Sequence, residues 1–130
     1  MESDQCPFCT LATDRIHSQS STSIAFHDAF PVAKGHTLVV PKQHVTSIFD
    51  LSDSDQASLW QLVTQVRTLL SEQLSPAGFN IGINDGEAAG QTVTHAHVHI
   101  IPRFQGDVPD PRGGIRWIIP EKAAYWEDPS

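Results

Sequence analysis

The chain has 130 residues, and its 8 Lys+Arg against 15 Asp+Glu give a formal net charge of −7. Hydrophobic residues at 39% and charged residues at 18% are ordinary for one globular domain and argue against global disorder. Such an acidic chain is poorly suited to non-specific binding of nucleic acid or anionic membranes, and no apolar run approaches the roughly 18 residues that span a bilayer. The acidic, polar start does not resemble a signal peptide, so we expect a cytoplasmic protein.

Both cysteines of the chain lie in one Cys-x-x-Cys motif, at Cys6 and Cys9. In a reducing compartment this motif indicates half of a zinc site or a redox pair. A redox pair of the thioredoxin type follows a strand and opens a helix, and we expect no strand before Cys6. Half a zinc site is therefore favoured over a redox pair or inert thiols, and two of the seven histidines can complete it.

The first third of the chain predicts two short strands. Residues 3–21 are polar, and we expect a knuckle and a short helical turn there. Residues 23–27 and 36–40 each have the composition of a strand, with turn-forming residues between them. Together they predict an antiparallel hairpin or meander.

The middle of the chain predicts one long helix over residues 51–74. Apolar residues recur there at spacings of three and four, which marks one buried stripe. The stripe consists of Leu59, Val63, Val66, Leu70 and Leu74. Ser52, three residues before Asp55, matches an N-terminal cap, and Pro76 follows the expected end.

Two further strands follow the helix. Residues 79–83 alternate apolar and polar side chains, residues 84–91 form a loop with two glycines, and residues 93–101 predict a strand closed by Pro102. Strands, one helix and then strands again predict an α+β fold with an antiparallel sheet.

Three histidines alternate with apolar residues in the last of these strands. On a strand, His95, His97 and His99 share one face, while the intervening residues pack under the helix. His95 and His99 would stand roughly 13 Å apart, whereas two ligands of one metal ion lie within about 4 Å of each other. One ion therefore cannot take all three, and we expect different roles, with His97 facing a substrate.

A neutral imidazole is a good nucleophile near neutral pH. One ring nitrogen can attack phosphorus while the other keeps its proton on a carbonyl. Charge that develops on the phosphate needs donors, which the loop over residues 86–92 can supply through backbone N–H groups, Gln91 and Thr92. The sequence contains no Walker-type phosphate loop and no evident aspartate cluster for magnesium, so we expect phosphorus chemistry without a metal at the reacting atom.

The run from His95 to Ile101 resembles the signature of the histidine triad family, His-φ-His-φ-His-φ-φ, where φ is apolar. The resemblance covers roughly residues 6–104. It includes Phe26-His27-Asp28, Gly35-His36, Pro41-Lys42-Gln43-His44 and Asn84-Asp85-Gly86 through Thr92. It implies one domain over residues 1–130, with a core at 6–104 that includes an N-terminal zinc knuckle, and a tail at 105–130. It also implies a homodimer that binds a purine nucleotide.

The resemblance implies a role for each matching residue. His97 would be the nucleophile that forms a nucleotidyl-histidine intermediate, with His95, His99 and His36 as further catalytic histidines. The implied nucleotide-binding residues are Asp28, Phe26, His27, Asn84, Gln91 and Thr92. The alternatives are a turn-forming role for Asp28 and a core position for Phe26. The implied ligands of a structural Zn²⁺ are Cys6, Cys9, His44 and His95, and His17 is expected at the surface.

The leading interpretation is a hydrolase that acts at the α-phosphate of a dinucleoside polyphosphate such as diadenosine tetraphosphate. The alternatives are a nucleoside phosphoramidase that releases AMP from an amine such as lysine, a nucleotide-binding module with vestigial catalysis, and a zinc-binding structural protein. Arg112 and Arg116 in the tail would suit a polyanionic leaving group, which favours the dinucleotide. Trp117 either contacts that group or, with Ile118, completes the dimer interface.

Overall fold

The computed structural model describes residues 5–128. Within these residues the chain forms five strands, one long helix and one short helix. The elements are β1 Ile16–Gln19, β2 Ser23–His27, β3 Thr37–Pro41, α1 Asp53–Leu74, β4 Gly78–Gly82, β5 Val98–Arg103 and α2 Pro120–Ala123. The sheet order is β1-β2-β3-β5-β4, with every neighbouring pair antiparallel. The predicted α+β class is confirmed.

Helix α1 begins and ends where its capping residues predict. Ser52 is the N-cap, and its Oγ accepts the N–H of Asp55 at 3.1 Å. At the other end Ser75 adopts a left-handed conformation with φ of 49°, and Pro76 follows. In the stretch from residue 5 to residue 128, no helix combines the length and apolarity needed to cross a membrane.

The main core lies between α1 and one face of the sheet. The helix buries the predicted stripe there, although Leu74 is only half-buried at its margin, and it also buries Leu62. The sheet side of this core includes Ala96, Val98 and Ile100, the three residues that alternate with the histidines. The predicted division between an apolar face under the helix and a histidine face is therefore confirmed.

A second apolar cluster covers the opposite face of the β2–β3 hairpin. Its buried members are Ile24, Phe26, Leu38 and Val40. Three residues from the N-terminal segment and β1 pack against it: Phe8, Leu11 and Ile16. This packing holds the Cys-x-x-Cys segment on the same side of the sheet as the histidines.

Strand β1 is absent from the sequence prediction, which expects only a knuckle and a helical turn. A 3-10 turn at Thr13–Arg15 does occur, but it leads directly into β1. β1 is an edge strand whose residues are half-buried or exposed, so it needs no apolar alternation. Its residues therefore carry no alternating pattern that would predict a strand.

Strand β5 begins at Val98, later than the predicted start at residue 93. Before that point the backbone has a different partner, because the N–H of Ala96 donates to the carbonyl of Val45 at 2.7 Å, in the loop after β3. The prediction that all three histidines lie on a regular strand is therefore wrong, since only His99 does.

Strand β5 also continues through Pro102 to Arg103, so the expected stop at Pro102 is wrong. β3 pairs with β5 only as far as Ile100, whereas β4 accompanies β5 to Arg103. Beyond Ile100 one edge of β5 has no ladder partner on the β3 side. A proline, which lacks an N–H, is tolerated at such an edge.

The turn that leads into β3 requires glycine. Gly35 has φ of 86°, and a Cβ atom there would lie 2.5 Å from Cδ1 of Leu74. Because Gly35 approaches Leu74 so closely, the turn packs against the end of α1. The following residue, His36, is thereby buried beside the sheet.

Candidate active site and metal centre

The three alternating histidines belong to different groups of side chains. His95 is 1% exposed and lies with Cys6, Cys9 and His44, whereas His99 lies with Asp28 and His36. His97 is between them, 8% exposed, with its ring centroid 5.1 Å from that of His99. The expectation that one ion cannot bind all three agrees with this arrangement.

Two thiols and two imidazoles meet in the first group. Cys6, Cys9, His44 and His95 each offer one ligand atom, and these atoms all lie within 4.8 Å of one another. Nδ1 of His95 is 3.4 Å from Sγ of Cys6, 3.5 Å from Sγ of Cys9 and 3.1 Å from Nδ1 of His44. Ligand atoms around a tetrahedral zinc stand about 3.3–3.8 Å apart. The four residues therefore sit close enough to bind a metal.

Hydrogen bonds orient these ligands for a cation. Nε2 of His95 lies 2.8 Å from the carbonyl of Pro41, so it carries the proton and Nδ1 keeps its lone pair towards the sulfurs. Burial lowers the pKa of His95, which favours this neutral form. The N–H of Cys9 donates to Sγ of Cys6 at 3.5 Å and orients that sulfur. The donor set is suited to zinc.

His97 has a defined tautomer. Its Nδ1 is 2.8 Å from the carbonyl of His95, an acceptor, so the proton is on Nδ1. Nε2 therefore keeps a free lone pair, and among residues 5–128 no hydrogen bond occupies it. His97 is also outside both groups of possible metal ligands in the described part of the chain. This is the arrangement that a nucleophilic imidazole needs.

Phe8 holds the outer side of the histidine segment. Its ring stands nearly perpendicular to two imidazoles, at centroid distances of 5.2 Å from His97 and 5.7 Å from His95. Phe8 lies inside the Cys-x-x-Cys motif, so the thiol loop contacts His97 directly through this ring. Sequence reasoning did not single out Phe8, and its only signal was its position between the cysteines.

A chain of hydrogen bonds connects the backbone to His99. Nδ1 of His36 accepts the N–H of Val32 at 3.1 Å, so the proton of a neutral His36 is on Nε2. That N–H donates to Nδ1 of His99 at 3.0 Å. His99 must then carry its own proton on Nε2, where it can serve as a donor to a substrate.

Electrostatics keep this pair of histidines neutral. Burial lowers the pKa of His99 to about 4, helped by the proximity of His97 and His36. Burial likewise lowers the pKa of His36, although Asp28 acts in the opposite direction. Oδ2 of Asp28 lies 3.4 Å from Nε2 of His36, whose N–H is directed to His99, so the carboxylate lies beside the pair without taking its proton.

The same three residues do not form a good metal site, although their ligand atoms lie within 4.8 Å of one another. To bind a cation through Nε2, His36 would have to move its proton to Nδ1. Nδ1 faces the N–H of Val32 and is already an acceptor. A neutral imidazole has only one N–H. The Val32 contact therefore favours a chain of hydrogen bonds through His36 over a metal ion bound to it.

The residues predicted to bind the nucleoside lie near the β2 end of the site. Oδ1 of Asp28 accepts the N–H of Phe30 at 2.9 Å, as in a turn, while Oδ2 lies towards His36. Phe26 is 2% exposed within the second cluster, and its ring is 5.4 Å from that of Phe8. His27 is exposed. The turn-forming role of Asp28 and the core position of Phe26 are both present, and their predicted nucleotide contacts stay predictions.

The glycine loop is held closed by its own hydrogen bonds. Oε1 of Gln91 accepts the N–H of Gly86, and its Nε2 donates to the carbonyls of Thr46 and Val93. Backbone N–H groups at residues 89–91 bond inside the same loop. Gln91 and these N–H groups are thus already used, whereas Asn84 and Thr92 are exposed at the loop's ends.

The tail arginines make their contacts within the tail. Arg112 pairs with Asp110 at 3.0 Å and stacks 4.5 Å above the Trp126 ring. Arg116 donates to the carbonyls of Ala123 and Lys122. The Arg112 side chain is more than half exposed, so the expectation that these arginines favour a dinucleotide stays a prediction.

The fold and the site together define an antiparallel α+β domain that carries a row of histidines beside a Cys₂His₂ cluster. Residues 12–106 match the family model described as the HIT domain. The chain therefore belongs to the HIT, or histidine triad, family.

Several known proteins are similar to the chain over most of its length. The Bacillus subtilis protein called Protein hit is 36% identical over 109 residues, which cover 80% of this chain and 75% of that protein. The asymmetrical bis(5'-nucleosyl)-tetraphosphatase of Schizosaccharomyces pombe is 40% identical over 93 residues, or 72% of this chain and 51% of the enzyme. The adenosine 5'-monophosphoramidase of the same yeast is 36% identical over 102 residues, which cover 75% of this chain and 74% of that enzyme.

Solved structures agree with the fold. A HIT family protein from Bacillus anthracis has a TM-score of 0.75 and 35% identity, covering 82% of this chain and 78% of that one. A Zn-bound histidine triad family protein from Mycobacterium smegmatis has a TM-score of 0.74 and 33% identity, covering 84% of this chain and 86% of that one.

Proposed function

We propose that the chain hydrolyses conjugates of a purine nucleotide at the α-phosphate, through a nucleotide bound covalently to His97. The observation that carries the proposal is the tautomer of His97, whose Nδ1–H donates to the His95 carbonyl and whose Nε2 keeps its lone pair. The names of the two yeast relatives, a dinucleoside tetraphosphatase and a monophosphoramidase, support this type of reaction.

The reaction has two halves. In the first, the lone pair on Nε2 of His97 forms a bond to phosphorus. The bond from phosphorus to the leaving group breaks, and the leaving atom takes the electron pair. A polyphosphate leaves as the anion, whereas an amine also takes one proton from solvent. In the second, water attacks the same phosphorus, the N–P bond breaks and its electrons return to Nε2. The water proton is lost, and the nucleoside monophosphate departs.

The neutral histidines supply donors for the phosphate. Nε2–H of His99 would donate to a non-bridging oxygen, together with the hydroxyl of Thr92 and the amide of Asn84. His95 and His36 act as positioning residues, the first through its carbonyl on His97 and the second through its N–H on His99.

The nucleoside would bind beside β2. Oδ2 of Asp28, unlike Oδ1, is not committed to the turn and would accept a ribose hydroxyl. Phe26 and His27 would line the base pocket. Gln91 would act indirectly, because its amide closes the loop that leads to Thr92.

We also propose that zinc occupies the Cys6, Cys9, His44 and His95 group. When bound, it would tie the N-terminal loop to the histidine segment and hold His97 from behind, as a structural site with four protein ligands does. Reduced thiols are required for this site, in keeping with a cytoplasmic location. Elemental analysis of the purified protein tests the assignment, and one zinc per chain is the expected result.

A homodimer is the proposed assembly. β4 is an edge strand of the sheet, with one side open for pairing within the described chain. Ile118 and Ile119 in the tail are 75% and 54% exposed, more apolar surface than a lone domain needs to display. Sedimentation equilibrium tests the assembly, with twice the chain mass expected.

The reaction is tested with two substrates, diadenosine tetraphosphate and adenosine 5'-phosphoramidate, whose leaving group is ammonia. We expect turnover of at least one, with a loss of more than about 10³-fold in His97→Ala, because removal of a covalent nucleophile costs that order or more. His17→Ala is the matched control and should keep kcat within about twofold, since the proposed mechanism gives His17 no part in the chemistry. Equal rates for wild type and His97→Ala would refute the nucleophile assignment.

A further inference from the structure

Both thiols of the chain belong to the group formed by Cys6, Cys9, His44 and His95, and they differ in their access to solvent. Cys6 is fully buried, whereas Cys9 is exposed. The sequence contains no other cysteine. An oxidant in solution can therefore reach the sulfur of Cys9, while the sulfur of Cys6 is shielded from it.

The two sulfurs are also close to each other. They lie within 4.8 Å, and each is within 3.5 Å of the same atom, Nδ1 of His95. The N–H of Cys9 donates to Sγ of Cys6, and the N–H and hydroxyl of Thr10 both donate to the carbonyl of Cys6. Both sulfurs therefore face the same side of a tight turn over residues 6–10. An accessible sulfur beside a second one that can react with it is the pattern of a redox-sensing cysteine pair.

The residue between the cysteines contacts the proposed nucleophile. The ring of Phe8 stands 5.2 Å from that of His97 and 5.7 Å from that of His95. The sulfurs on either side of Phe8 face His44 and His95, at 3.1 Å and 3.4 Å from their Nδ1 atoms. A change at the sulfurs that frees the loop from these two imidazoles therefore also removes a support of His97.

We propose that Cys9 is a site of oxidation by hydroperoxides, and that its disulfide with Cys6 inactivates the site around His97. The proposal rests on the proposed zinc site, because the thiolates that bind the cation are the groups that the oxidant consumes. Sulfurs joined in a disulfide are no longer thiolate ligands, and the two remaining imidazoles are too few for a structural zinc site. The Cys-x-x-Cys motif then acts as half of a zinc site when reduced and as a redox pair when oxidised.

The oxidation is balanced in two steps. In the first, the Cys9 thiolate forms a bond to one oxygen of the hydroperoxide and the O–O bond breaks. The departing oxygen takes the bonding pair and a proton, and leaves as water or an alcohol. In the second, the Cys6 thiolate forms a bond to the Cys9 sulfur, the S–O bond breaks, and hydroxide leaves and takes a proton. The two sulfurs together give up two electrons, which reduce the hydroperoxide.

The test treats zinc-loaded protein with hydrogen peroxide and follows free thiols, zinc captured by a chromophoric chelator, and turnover of adenosine 5'-phosphoramidate. We expect two thiols to be lost for each zinc ion released. In non-reducing mass spectrometry the peptide that contains residues 6–9 should be lighter by two hydrogen atoms. Loss of support for His97 should lower kcat about tenfold or more, and dithiothreitol with added zinc should restore it.

A comparison of variants isolates the contact between Phe8 and His97. In Phe8→Ala the peroxide should still form the disulfide and release zinc. The further loss of kcat should be a smaller factor than in wild type, because the ring contact is already gone. Phe49→Ala is the matched control and should respond as wild type does, since Phe49 is 65% exposed on a short 3-10 turn outside the Cys-x-x-Cys segment.

Failure of this inference and failure of the proposed function give different results. Purified protein without zinc would refute the proposed zinc site and the inference that rests on it. No turnover before oxidation would refute the proposed reaction and leave the thiol and zinc measurements valid. Zinc that stays bound under peroxide, sulfinic acid on Cys9 without a disulfide, or a disulfide between two chains would overturn the inference alone. A disulfide that leaves kcat unchanged, or that lowers it equally in wild type and Phe8→Ala, would overturn the link to His97.

Discussion

Acidification should destabilise the protein through His99. In the folded state burial lowers the pKa of His99 to about 4, against 6.5 for an ordinary histidine. Between these two values the unfolded chain binds a proton at this position and the folded chain does not. The stability contributed by His99 is therefore fully present above pH 6.5 and is lost as the pH falls towards 4.

The magnitude follows from the two pKa values. Each pH unit between them changes the free energy of unfolding by about 1.4 kcal/mol. At pH 5 the loss relative to pH 7.5 is at most about 2 kcal/mol, and we expect about 1–2 kcal/mol because the ring is partly open to solvent. The lowered pKa of His36 acts in the same direction.

The assay is urea denaturation of zinc-loaded protein at pH 7.5 and pH 5, for wild type and His99→Gln. Any loss of zinc at low pH is common to both proteins, so the difference between them isolates His99. The variant should lose about 1–2 kcal/mol less than wild type on acidification. Equal losses in the two proteins, or a wild type that becomes more stable at pH 5, would refute the reasoning.

Three other predictions concern the supports of the site. Cys9→Ser should remove zinc, measured by elemental analysis, and lower the free energy of unfolding by about 3 kcal/mol or more, whereas the neighbouring Thr10→Ser should retain the metal. Phe8→Ala should lower the free energy of unfolding by about 2 kcal/mol, measured by urea denaturation. It should also lower kcat by a larger factor than it lowers the zinc content, because the Phe8 ring contacts His97. Gly35→Ala should destabilise by about 2 kcal/mol or more, since φ is 86° and Leu74 occupies the Cβ position; an unchanged midpoint would contradict this.

The spacing of apolar residues was sufficient to predict the elements that bury one face against the core. The helix stripe that includes Leu59 and Leu70 lies on the core as predicted, and the Ser52 cap is present. Ala96, Val98 and Ile100 pack under the helix, so the alternation of faces was also predictable. These features depend only on local pattern and on which residues avoid water.

Long-range contacts account for what the sequence could not predict. The late start of β5 depends on a hydrogen bond from Ala96 to Val45, far away along the chain. The pairing of the tail arginines depends on how residues 110–126 fold back on themselves. Arg112 and Arg116 are cations available to an anion in the sequence, but in the structure a carboxylate and two carbonyls already occupy them.

The candidate site likewise has features that could be predicted from the sequence and features that depend on long-range contacts. The grouping of Cys6, Cys9, His44 and His95 was predictable from ligand chemistry and family resemblance, and the four do come together. The tautomers of His36 and His97 were not, because they depend on the backbone groups of Val32 and His95 that the fold brings to each ring.

Direct observation of the covalent intermediate tests the central claim. Wild-type protein is mixed with adenosine 5'-phosphoramidate, quenched within one turnover in alkaline denaturant, in which N–P bonds survive, and digested for mass spectrometry. The account predicts an adenylyl group on the peptide that contains His97, localised to that residue, and its absence from His97→Ala. Steady turnover with no adduct at any quench time, or an adduct on another residue, would contradict it.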